Sequence, residues 1–197
     1  LFPYTTLFRS LIGASVGLFL GTWLAVAKRS RDYVFPSINL IAQFPIVGWI
    51  PLLMIFLGID EALKIAAISL AVFPPVLIAT YKGIANVPNS LLEVAEVYQF
   101  SKWQKLQRVI VPAALPSIIS GLRQGIMQAW LALVFVELLA SSEGIGYLMV
   151  WGRQLLQLDI IFMAIVLIGL TGYFLDSGLA IAEKVARFYA TRVGAKA

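Results

Sequence analysis

Glu137 and Arg123 are the ionisable side chains inside the apolar run from Pro116 to Ala140. A charge at the centre of a membrane helix costs roughly 2.5–3.5 kcal/mol on insertion scales, so each side chain needs water, another helix or a second subunit. The two stand about 21 Å apart along a helix rising about 1.5 Å per residue, so they cannot pair with each other. Arg123 is near enough to the basic end of the run to reach the interface along its own stem. Glu137 reads equally as a pathway or gating residue and as a buried acceptor. A third ionisable residue, Arg153, follows the run and has the charge to attract an anionic solute, or is simply solvated. The chain has no cysteine and no histidine, which excludes disulfides, cysteine or histidine zinc ligands and histidine acid–base catalysis. It carries no glycine-rich phosphate loop and no nucleophile–base set, so neither an enzyme nor a cofactor or metal site is expected.

The elements that hold these residues are membrane spans. Of 197 residues, 60% are hydrophobic and 13% charged, with a mean hydropathy of +0.90, far more apolar than a soluble domain. Five segments approach the roughly 20 apolar residues that a span needs: 11–27, 34–57, 62–81, 116–140 and 160–181. Lys28, Arg29, Arg31, Lys82, Lys102, Lys105, Arg108 and the cations of the tail fall on one side of them. Asp60, Glu61, Glu143 and Asp159 fall on the other, with Lys64 and Arg153. The positive-inside rule puts the first side, including the C-terminus, in the cytoplasm. The net charge of +5 therefore reads as membrane orientation rather than nucleic-acid binding. "LFPYTTLFRS" lacks an initiator Met, a charged region before an apolar core and a small-residue cleavage site, so it is no signal peptide. Residues 1–10 read as foreign to the chain or as the start of a fragment whose preceding helix is missing. Residues 11–190 form the membrane domain, and 191–197 a cytoplasmic tail.

Gly13, Gly17 and Gly21 repeat every four residues, a face for close helix packing or for a subunit interface. The second span contains Pro36, Pro45, Gly48 and Pro51, and the third contains "VFPPV" at 72–76. Proline removes a backbone donor, and broken backbone in a membrane is tolerated where protein or a water-filled cavity satisfies it. Pro45 and Pro51 are therefore candidate pathway residues, with simple packing kinks as the alternative.

The stretch from Asn89 to Ser117, "NSLLEVAEVYQFSKWQKLQRVIVPAALPS", is neither apolar enough to span nor disordered in composition. Ser90 with Glu93 and Ser101 with Gln104 both have capping-box spacing, which predicts two helix starts eleven residues apart. "YQF" must turn the chain between them. Pro112 and Pro116 are expected to end the second helix and launch the next span. Leu91, Leu92, Ala95 and Tyr98 are expected to form one apolar stripe, with Trp103 among basic residues on the second helix. The pair is either a hairpin on the lipid surface or a docking element for a cytoplasmic partner.

"EVAEVYQFSKWQKLQRVIVPAALPS" resembles the cytoplasmic coupling loop (89–112) of permease subunits of binding-protein-dependent ABC importers. In that pattern Glu93 and Ala95 take the first and third places of Glu-Ala-Ala, Val109 and Val111 stand for Ile and Leu, and Pro112 closes it. Val94 replaces the middle Ala and Gln99 replaces Gly, where positive φ costs a non-glycine residue about 1–2 kcal/mol. "FPIVGWIPLLMIFLGIDEALKIA", "PAALPSIISGLRQGIMQAWLALVFVELLASSEGIGYLM" and "FLD" are similar to the branch importing sulfonates, taurine, nitrate and bicarbonate. The resemblance implies an all-α polytopic bundle of six spans, the first of them absent here. It also implies two permease subunits, here a homodimer, in the bacterial or archaeal cytoplasmic membrane. With them go two ATPases that hydrolyse the ATP and an extracytoplasmic solute-binding protein. Glu93, Ala95, Gln99, Ser101, Trp103, Val109 and Pro112 would then contact the ATPase. "GIGYLMVWGRQLLQ" would be a re-entrant or surface helix near the outer gate; read from its residues, it is equally an interfacial anchor. A secondary transporter using Glu137 as an ion relay, and less readily a membrane-embedded enzyme, remain the competing classes.

Overall fold

The computed structural model describes the backbone of residues 2–194 and the side chains of residues 8–27 and 31–188. Its helices are α1 (Phe2–Val26), α2 (Lys28–Gln43), α3 (Ile46–Leu57), α4 (Glu61–Ala85) and α5 (Asn89–Val97). They continue with α6 (Lys102–Lys105), a π-helical turn Leu106–Ile110, α7 (Val111–Ala140), α8 (Ile145–Gln154) and α9 (Leu158–Gly194). Among the described residues there is no strand. Among the described residues four helices are long and apolar enough to cross a membrane, or five when α2 and α3 count as one span bent by 94°. This matches the expected all-α membrane bundle.

Helix α4 is the centre of the bundle. Gly13, Gly17 and Gly21 of α1 press against one side of it, and a Cβ on Gly21 would come within 2.7 Å of the Leu77 carbonyl. The glycine stripe is therefore a packing face within this chain. On another side of α4, Gly121 and Gly125 of α7 approach as closely, with Val72 and Val76 filling the space beside Gly125. Val72 and Val76 also pack with Ala129, Leu133 and Val134 in the main buried cluster. Lipid is as apolar as these side chains, so close van der Waals contact holds the three helices together. In contrast, only 6% of the most apolar window of α9 is buried, which leaves it at the periphery.

The second span breaks at one of its prolines and not at the others. Phe44 precedes Pro45 and is extended at ψ 121°, and Pro45 itself sits at ψ 141° as the N-cap of α3. The proline ring disfavours helical geometry in the residue before it, which accounts for a break at this point. Pro36 and Pro51 lie inside α2 and α3, and α4 runs through Pro74 and Pro75 without interruption. The expectation for residues 1–10 falls mostly outside the described side chains. Arg9 and Ser10 are buried; the Arg9 guanidinium pairs with Glu61, and its carbonyl accepts from Ser69 at 3.1 Å. The side chains of the tail, 191–197, lie outside the described residues.

Candidate functional site

The loop between α4 and α7 is built from two helix ends. The capping box at Ser101 forms as expected: the Ser101 amide donates to Gln104 Oε1 at 2.8 Å, and the Gln104 amide donates to Ser101 Oγ at 3.3 Å. The one at Ser90 does not. Pro88 is the N-cap of α5, so Ser90 falls inside the first turn with no cap to make. The fixed φ of proline suits a helix start, and it moves the helix start upstream of the serine.

Gln99 adopts φ +53°, the left-handed conformation that a glycine would take freely. The Phe100 amide donates to the Ala95 carbonyl and the Gln99 amide to the Glu96 carbonyl, both at 2.9 Å. That double closure is a Schellman motif, and its two bonds help hold Gln99 in a strained conformation. Lys105 donates to Glu96 at 2.8 Å across the turn, and its hydrogen bond and charge hold the Glu96 carboxyl below the usual range. Arg108 lies 5.8 Å from the Phe100 ring centroid, within reach of a cation–π contact.

The second helix is not ended by Pro112. It passes from α6 through the π turn into α7, with the Val111 amide bonding to the Leu106 carbonyl five residues back. A proline ring clashes with the carbonyl four residues before it, and a wider turn at Arg108 relieves that clash. The expected apolar stripe also divides. Ala95 is buried and Leu92 half-buried, whereas Leu91, Val94, Val97 and Tyr98 are exposed beside exposed Glu93. Trp103 is exposed as well, and Val109 and Pro112 are half-buried. The outer surface of the loop thus presents aromatic and aliphatic side chains among Glu93, Glu96, Lys102 and Arg108.

A cavity of about 600 Å³ opens where α2 breaks into α3. Pro45 lines it, as do Pro74, Pro75, Leu70 and Ala71. Pro74 and Pro75 leave the carbonyls four residues earlier, those of Leu70 and Ala71, without helical partners. The backbone irregularity therefore sits where a water-filled space can satisfy it. One face of α7 completes the wall with Ser117, Ser120, Gln124 and Gln128. Their spacing of three, four and four residues was the sequence signal for this wall, a polar stripe inside an apolar span. Pro51, Arg123, Glu137 and Arg153 do not line the cavity.

A family model described as the inner membrane component of binding-protein-dependent transport systems matches residues 13–187. The chain belongs to this family. It is 38% identical over 174 residues to the putative aliphatic sulfonates transport permease protein of Bacillus subtilis (strain 168), covering 88% of this chain and 63% of that protein. Escherichia coli (strain K12) has one of the same description, 35% identical, with coverages of 90% and 69%. The taurine transport system permease of the same strain is 33% identical, with coverages of 86% and 60%. The chain thus spans less than two thirds of the first of these relatives, all of which are transport permeases rather than enzymes. A chain of the MetNI methionine ABC transporter, solved in inward-facing conformations, shares the fold with a TM-score of 0.74 at 16% identity. The match covers 92% of this chain and 91% of that one.

In this family member Arg123 and Glu137, the ionisable residues of the 116–140 span, both have partners. Arg123 contacts Asp176 twice and donates to Glu183 at 3.0 Å. Ser120 also donates to Glu183, and Arg187 closes the cluster at 2.8 Å from that carboxylate. Asp176 and Glu183 are seven residues apart on one face of α9, a pattern that spacing alone shows only once a partner helix is known. Glu137 is 5% exposed and accepts the Gly146 amide at 2.9 Å in the first turn of α8. A carboxylate there satisfies an otherwise unpaired donor and the positive end of the helix dipole. Gly144, at φ +106°, has no room for a Cβ beside that carboxylate. Arg153 is exposed on α8, which packs between α7 and α9.

Proposed function

We propose that the chain is the membrane-spanning permease subunit of an ATP-driven importer for a small anionic solute of the sulfonate, taurine or nitrate kind. The observation that carries this reading is the loop from 89 to 112. Its two short helices are locked to each other by the Gln99 turn and the Glu96–Lys105 pair, while their outer surface stays exposed. Exposed Leu91, Val94, Val97, Tyr98 and Trp103 give the loop a surface on which a partner can push. The π turn and α7 form one helical rod from this loop to the cavity wall at Ser120 and Gln124. Movement of the loop is thereby delivered to the solute path.

In this account ATP binding closes a pair of separate cytoplasmic ATPases against α5 and α6. Two copies of the permease then rock between inward and outward openings, and an extracytoplasmic binding protein delivers the solute. The loop and the C-terminus lie in the cytoplasm, on the basic side of the chain. Glu93, Ala95, Gln99, Ser101, Trp103, Val109 and Pro112 form or support the docking surface, and Pro45 marks the hinge at the solute path. The ion-coupled alternative needs Glu137 free to relay, and its engagement as the α8 cap weighs against that. Uptake of a labelled sulfonate into vesicles carrying the complex distinguishes the two. Uptake that requires internal ATP supports the importer; uptake driven by an ion gradient without ATP overturns it.

A further inference from the structure

We propose that the cavity beside the α2–α3 break binds a small organic anion directly, with Lys82 as counter-charge and the amides of Gln124 and Gln128 as donors. This rests on the permease reading and adds that the membrane subunit itself selects for charge. Among the described residues Lys82 is the one charged side chain in the lining, and no carboxylate is part of it. Among the described residues no ion pair engages Lys82. The nearest acid by connection is Glu183, held behind Ser120, and Arg123 and Arg187 already neutralise it.

The neutral donors sort themselves by what they already bond. Ser117 donates to the Ala79 carbonyl at 2.9 Å and Ser120 to Glu183, so neither hydroxyl hydrogen is free for a ligand. Gln124 and Gln128 are four residues apart on the same face of α7, line the cavity and are exposed within it. Ile46, Trp49 and Ile78 supply an apolar wall. The volume of about 600 Å³ lies within the range of ordinary small-molecule sites. A compact oxyanion with a short hydrocarbon body satisfies each part of this wall. A cation of equal size would meet Lys82 with no acid to offset the repulsion.

The test is equilibrium dialysis of labelled 1-butanesulfonate against the protein in lipid nanodiscs, with empty discs as the lipid control and butyltrimethylammonium as the cationic counterpart. Saturable binding of the sulfonate and none of the ammonium is expected. Loss of a hydrogen bond to a charged group weakens binding by about tenfold, so Lys82→Gln is expected to raise Kd by about that factor. Lys82→Arg should retain it, and Gln124→Leu should weaken it. Equal affinity in Lys82→Gln, equal binding of the ammonium, or no binding above empty discs overturns the proposal. ATP-dependent uptake by the assembled transporter separates the two readings. If wild type and Lys82→Gln take up the sulfonate alike, the anion site falls and the importer stands. If wild type shows no ATP-dependent uptake, the importer reading falls whatever the dialysis shows.

Discussion

Arg123 of α7 grips Asp176 of α9 with two parallel hydrogen bonds, Nε to Oδ1 at 3.0 Å and Nη2 to Oδ2 at 2.8 Å. The forked guanidinium matches the carboxylate plane, and its remaining nitrogen reaches Glu183. Helix α9 lies at the periphery, packed on α7 and α8, and this cluster adds a polar tie between it and α7. Arg123→Gln should lower the thermal midpoint in detergent, because Asp176 loses its guanidinium partner while Glu183 keeps Ser120 and Arg187. Arg123→Gln with Asp176→Asn should lose less than the sum of the single changes, because the pair is removed together. Strict additivity in that cycle would show that the contact does not couple the helices.

Gly21 of α1 and Gly48 of α3 make a contrast that a pair of alanines can read. A Cβ on Gly21 meets backbone at 2.7 Å, whereas one on Gly48 meets nothing within 4 Å. Gly21→Ala should destabilise the bundle by about 1–3 kcal/mol, the usual scale of overpacking. Gly48→Ala, inside α3, should be neutral or stabilise by about 0.5–1 kcal/mol. Unfolding in mixed micelles measures both, and the reverse order would contradict the packing described for α4.

Gln99 bears the turn at a conformational cost. Gln99→Gly should keep the loop geometry and stabilise it by about 1 kcal/mol, since glycine takes the left-handed region without strain. Gln99→Val should loosen the turn. Hydrogen exchange at the Phe100 amide reports the difference, and transport should survive in Gln99→Gly. Loss of transport there would mean that the glutamine side chain makes a contact of its own.

Glu137 holds the first turn of α8. Glu137→Ala should cost about 1–2 kcal/mol, the scale of a lost cap, and speed exchange of the Gly146 amide. Glu137→Gln keeps an acceptor and should be milder in both respects. Both variants should retain ATP-driven uptake at reduced stability. A Glu137→Gln protein that is stable but transports nothing would return this residue to the role of relay.

How much of this is legible in the sequence differs from residue to residue. The spans, the Ser101 capping box and the break at Pro45 follow from apolar length and from the local rules for serine and proline, which act within a few positions. The missed cap at Ser90 has a local cause as well, because Pro88 outranked the serine two positions later. The coupling of Arg123 to Asp176 and of Glu137 to Gly146 depended on which helices meet, and no periodicity within one helix carries that. The unbroken passage through Pro112 was hidden for a different reason. A π turn absorbs the proline without leaving any composition signal. The polar face of α7 was present as Ser117, Ser120, Gln124 and Gln128, but it has meaning only beside a cavity.

The central claim is that force enters through α5 and α6, and Glu93 is the place to test it. It is exposed beside Leu91, Val94 and Tyr98, and no ion pair engages it among the described residues. Its replacement should therefore leave folding and membrane insertion intact. The measurement is solute-stimulated ATPase activity of the reconstituted complex carrying Glu93→Arg, which inverts the charge on the docking surface. Normal insertion is expected, with ATPase activity no longer responsive to solute and with uptake lost. Solute-stimulated ATPase activity equal to that of wild type would contradict it.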